Sequence, residues 1–131
     1  MIIGERILEA TGNKVSNDAI KGLNINITLE DVQLKEGNVE ITYAYTANYD
    51  EKVGFLRLRG VLIAKEENKL TEEIISTWKK SKKIPDAYAE MVLSAVNYSG
   101  SANGTLLARI LGLTAPLIPP RIQLGQAANK K

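Results

Sequence analysis

The sequence predicts an α+β fold: an antiparallel β-meander of three or four long strands followed by helices. Three patterns carry that reading. Apolar and polar residues alternate over residues 23–29, 39–46 and 55–59, the period-two rhythm of half-buried strands. The short polar stretches "KEGN" and "NYDEK" separate these runs, so each strand turns back on the one before it. From Thr71 onward the apolar spacing lengthens to three and four residues, the helical period.

Residues 1–22 form an N-terminal segment in which Ile7, Leu8 and Ala10 suit the start of a short helix that Gly12-Asn13 interrupts. The meander occupies residues 23–65. In its first strand Leu23, Ile25, Ile27 and Leu29 face one way and Asn24, Asn26 and Thr28 the other; beyond Glu30-Asp31 the phase shifts to Val32 and Leu34, which predicts a bulge. Gly37-Asn38 suits the positive φ of the following turn. The next strand, residues 39–49, sets Val39, Ile41, Tyr43 and Tyr45 against Glu40, Thr42, Ala44 and Thr46. The last, residues 53–65, sets Leu56 and Leu58 against Phe55, Arg57 and Arg59, with a bulge expected at Gly60.

The helical part spans residues 71–111. Thr71 is expected to cap the first helix, with Glu72 and Glu73 at the positive end of its dipole and Lys79 and Lys80 at the negative end; Leu70, Ile74, Ile75 and Trp78 form its buried stripe. After "KSKKIPDA", Pro85 fits the first position of a second helix, which carries Tyr88, Met91, Val92, Ala95 and Val96 on one face. "NYSGSANG" is expected to interrupt it before a short helix "TLLARIL" that stops at Gly112. Residues 112–124 include "LTAPLIPPRIQL", whose prolines impose an extended strap and whose Leu113, Pro116, Leu117, Ile118 and Ile122 avoid water. Residues 125–131 read as a polar tail.

A chain of 131 residues with 44% hydrophobic content fits a single domain, residues 1–131. With no cysteine and no histidine it has neither thiolate nor imidazole metal ligands, nor the usual near-neutral general base, and the spacing of its acids suggests no carboxylate cage. No catalytic residue, metal site or cofactor is therefore expected. Seventeen basic against fifteen acidic residues leave a charge of +2, too near balance to imply nucleic acid. Arg57, Arg59 and the "KKSKK" lysines are a candidate phosphate-contacting stripe, but no aromatic-basic motif accompanies them, so nucleic-acid binding is the less favoured reading. The first ten residues read as neither a secretory leader nor long enough to span a bilayer, so a cytoplasmic location with no membrane partner is expected.

Strands first, then a helix near Pro85, then an extended apolar segment: over residues 23–124 this order resembles the SecB-like chaperone family, which comprises bacterial protein-export chaperones and small archaeal relatives. "FLRLRGVLIAKE" resembles that family's long third strand, "IPDAYAEMVLSAVNYSG" the start of its main helix, and "LTAPLIPPRIQL" the proline-containing segment after it. The resemblance implies a non-catalytic holdase for unfolded or partly folded polypeptides. The bacterial members continue with another long helix and couple to the export motor through an acidic surface and a cysteine-and-histidine zinc tail; those features are missing here, so coupling to that motor is not implied. The ending is closer to the archaeal relatives. An oligomeric adaptor or assembly module with one defined partner is the other reading open to the same fold.

Tyr43, Tyr45, Tyr49 and Phe55, joined by Leu117 and Ile118, are the candidate polypeptide-binding residues, because aromatic side chains offer large contact area at modest entropic cost. Packing against the helices is the competing role for the same tyrosines. A sheet with free edges and one poorly covered face further predicts a homo-oligomer, dimer or tetramer.

Overall fold

The computed structural model describes residues 1–17, 22–49 and 53–116. Four strands precede two helices: β1 (Ile2–Lys14), β2 (Leu23–Lys35), β3 (Asn38–Tyr49), β4 (Gly54–Ala64), α1 (Asn68–Ser81) and α2 (Asp86–Leu111). The expected α+β meander with helices after it is therefore the observed fold. The sheet is antiparallel with order β1-β4-β3-β2, which puts β1 and β2, consecutive in the chain, at opposite edges.

β1 corrects the expectation of a short helix near the N-terminus. It pairs with β4 along its length, but skips register at Ile3 and again at Leu8. Each extra residue reverses the inward and outward sense of the residues after it. The bulge expected in β2 occurs where Leu29 and Asp31 oppose consecutive residues of β3, leaving Glu30 unpaired. The bulge expected at Gly60 is absent from β4, which stays in register with β3; the irregularity is opposite, at Leu8. Gly60 instead makes room: a Cβ there would lie 2.7 Å from the Tyr43 hydroxyl and 2.9 Å from the Arg6 carbonyl oxygen. In the β2–β3 hairpin the two turn residues with positive φ are Glu36 and Gly37, one position earlier than expected.

The inner face of the sheet follows the period of two. Val39, Ile41, Tyr43, Tyr45, Ala47 and Tyr49 of β3 lie buried beside Leu56, Leu58 and Leu62 of β4 and Ile27 of β2, with Ile74 and Trp78 of α1 and Val92 and Val96 of α2 above them. α1 begins earlier than expected. Glu67 is its N-cap, so Glu72 and Glu73 fall past the first turn, and Thr71 is buried with its hydroxyl donating to the Glu66 carbonyl oxygen at 3.3 Å. Lys79 and Lys80 occupy the last turn as expected, and Lys82 closes the helix in the left-handed conformation.

α2 is one helix of 26 residues, not two separated by a loop, and its N-cap is Pro85 itself. Val96, Gly100, Gly104 and Ala108 recur every four residues and are all buried. Glycine weakens an isolated helix, yet here it lets the backbone settle onto the sheet. A Cβ on Gly100 would sit 2.3–2.5 Å from three ring carbons of Tyr45, and one on Gly104 would sit 2.9 Å from Pro116 Cγ. The helix stops at Gly112, whose φ of 71° and following Leu113 N–H, donated to the Ala108 carbonyl oxygen at 2.8 Å, close the end as expected.

Candidate polypeptide-binding surfaces

The candidate aromatic platform does not exist as one surface. Tyr43 and Tyr45 are 0% exposed and Tyr49 is 3% exposed, all on the inner face under the helices. Phe55 immediately precedes the inward Leu56 and so lies half-buried on the opposite face of the sheet, beside Asn48 and Asn13. These tyrosines are core. Leu117 and Ile118 lie outside the described residues, as do the "NYDEK" turn from Asp50 to Lys52 and the tail.

Polar clasps tie Tyr43, Tyr49 and Tyr88 down. The Tyr43 hydroxyl donates to the Glu5 carboxylate on β1, which also accepts from Ser99 of α2 at 2.7 and 2.9 Å, while Asn103 donates to the Ser99 hydroxyl oxygen at 3.2 Å. Tyr88 donates to Glu66 at 2.9 Å, and Tyr49 donates to the Thr114 carbonyl oxygen. Burial, reinforced by the neighbouring Glu5 and Glu66 carboxylates, raises the pKa of Tyr43 and of Tyr88, and burial next to Tyr45 pushes Tyr49 up to about 12. A phenol whose folded pKa exceeds its unfolded value of about 10 stabilises the fold fully below that value, and the contribution disappears as pH rises through the folded pKa. Stability is therefore expected to hold to about pH 10 and fall steeply by pH 12; in a Tyr98→Phe variant, which leaves only the buried tyrosines, tyrosinate absorbance at 295 nm should appear together with loss of helical circular dichroism. Tyrosinate appearing near pH 10 in that variant while it stays folded would contradict this.

Apolar surface is exposed elsewhere. Along α2, Ser99, Asn103, Leu106 and Ile110 follow one another at intervals of three and four, a single flank of the helix. Ser99 reaches Glu5 of β1, and Leu111 at the far end approaches Gly12 of the same strand, so this flank runs beside β1. Leu106 is 61% and Ile110 is 78% exposed, next to a strand on which Ile3, Ile7 and Leu8 are each more than two-fifths exposed. β1 pairs only with β4, so its outer edge is free among the described residues. None of these residues was a sequence candidate, because their proximity depends on β1 being a strand.

The sheet's open face carries ion pairs alongside the apolar Phe55, Val61 and Ile63 of β4. Arg59 binds Glu30 at 2.9 Å and Glu9 at 3.4 Å, Arg57 meets Glu30 at 3.6 Å, and Arg6 meets Glu40 at 3.3 Å. The two arginines considered as phosphate contacts thus already have carboxylate partners. The described residues contain no cluster of three or more metal-ligating side chains, and none of their helices is long and apolar enough to cross a membrane. Ser99 has a carboxylate neighbour, but that carboxylate is engaged by two hydroxyls and holds β1 to α2. No family model matches the chain, and no curated protein or solved structure does either. By its own geometry this is a two-layer α+β protein whose outer strand edges are free among the described residues, with an apolar flank beside one of them.

Proposed function

We propose that the protein is a non-catalytic, SecB-like holdase that self-associates in the cytoplasm, as a dimer or tetramer, and binds unfolded or partly folded polypeptides. The observation that supports it is the exposed flank of Leu106 and Ile110 beside the free edge of β1. Apolar side chains next to unpaired backbone donors and acceptors suit another polypeptide, whose main chain completes the ladder while its side chains cover the flank. Monomeric proteins seldom leave such a surface contiguous and uncovered.

Two measurements test this reading. In sedimentation the protein should run as a dimer or tetramer at micromolar concentration, and Leu106→Asp/Ile110→Asp should weaken assembly while leaving the melting midpoint nearly unchanged. Added in slight excess, the wild type should suppress aggregation of a chemically denatured, unrelated protein during dilution. A stable monomer that leaves aggregation unchanged would refute the proposal; selective binding of a single native protein would move the reading to an adaptor.

A further inference from the structure

At the opposite edge of the sheet, α1 packs against β2, and an open groove of about 420 Å³ follows the helix from Thr71 to Lys80 and meets β2 at Leu34. Leu34, at the end of β2, is 53% exposed and lines the groove together with Thr71 and Ile75 of the helix. Charge is distributed unevenly along this groove. Glu72 lies toward one end of α1, whereas Lys79 and Lys80 lie at the other, and among the described residues neither lysine has a carboxylate partner. β2 pairs only with β3, so its outer edge also keeps backbone donors and acceptors free among the described residues.

We propose that this groove takes an extended polypeptide segment in which an apolar residue is followed two positions later by an acidic one, a specificity that rests on the polypeptide-holding function proposed above. The segment's main chain pairs along the edge of β2, its apolar side chain covers Leu34 and Ile75, and its carboxylate meets Lys79 and Lys80. Ile75 and Lys79 lie one turn of α1, about 6 Å, apart, close to the roughly 6.6–6.8 Å between residues i and i+2 on one side of a strand, so one side of an extended segment is long enough to reach both. The free edge favours a polypeptide over an amphiphile, because a fatty acid has a carboxylate and a chain but nothing to pair with backbone N–H and C=O groups.

The test uses the full chain and two fluorescein-labelled decapeptides, one repeating Leu-Ser-Asp-Ser and the other Leu-Ser-Lys-Ser, so that each Leu is followed two positions later by the charged residue. Anisotropy titration should show the acidic peptide binding at least tenfold more tightly at low salt, with the difference shrinking as salt is added. Lys79→Glu/Lys80→Glu should reverse the preference, and Leu34→Asp should weaken binding of the acidic peptide; Lys79→Gln/Lys80→Gln, which should abolish the preference without reversing it, serves if the charge reversal disturbs folding. Equal affinity for the two peptides, a preference unaffected by the lysine variants, or displacement of the acidic peptide by dodecanoate would overturn the assignment. If these results come with suppression of client aggregation intact, the groove assignment alone fails; if the wild type suppresses no aggregation, the holdase reading fails with it.

Discussion

Tyr45→Ala is expected to lower the unfolding free energy by about 3–5 kcal/mol, the range for deleting a buried aromatic ring. The side chain is 0% exposed and fills the space between β3 and the backbone of α2 at Gly100. Gly100→Ala in the otherwise native protein should also destabilise, by about 1–3 kcal/mol, because the new methyl group must enter the ring it faces. Helix propensity pulls the other way by about 1 kcal/mol in favour of alanine. With the ring removed, the clash disappears and propensity remains. Gly100→Ala should therefore change sign and become stabilising in the Tyr45→Ala background, a coupling readable by urea denaturation of the two single variants and the double variant. Additive effects would show that Gly100 is not held small by Tyr45.

Ending the chain after Gly112 should produce the other large loss. Leu113 is 7% exposed, Pro116 is fully buried against Gly104, and the Thr114 carbonyl oxygen accepts the Tyr49 hydroxyl. The start of the proline segment is thus part of the core. Burying Leu113 alone contributes roughly 1.5–3 kcal/mol, and a domain of this size is held together by about 5–15 kcal/mol in total. The truncated protein should melt well below the full chain, and should bind a hydrophobic dye at temperatures where the full chain does not. If the segment serves only to recruit a partner, the melting midpoint will be unchanged while partner binding vanishes.

The strands that alternate cleanly were legible. Along β3 no bulge intervenes from Asn38 to Tyr49, so one phase assigns every side chain to its face. β1 was not, because its bulges at Ile3 and Leu8 reset the phase twice in 13 residues and scatter its apolar positions. The continuity of α2 was hidden for a different reason. Gly100 and Gly104 look like breaks when judged by local propensity, and only the presence of Tyr45 and Pro116 across the interface explains them. Alternation identified Tyr43 and Tyr45 as sharing a face, but which face receives the helices is settled by tertiary packing. The apolar flank beside β1 was illegible for the same reason, since it joins residues more than ninety positions apart.

The arrangement of the sheet also has a temporal side. β2 and β3 are neighbours in both chain and space, so their hairpin can close as soon as Tyr49 has been made. β1, although first in the chain, has no partner until β4 arrives: Ile2 waits for Ala64. At about 5–20 residues per second of synthesis that wait lasts roughly 3–12 s, with the backbone of β1 still without β4 throughout. The nascent protein passes through the very condition it is proposed to relieve in others, and a finished copy nearby would be a ready escort for the next.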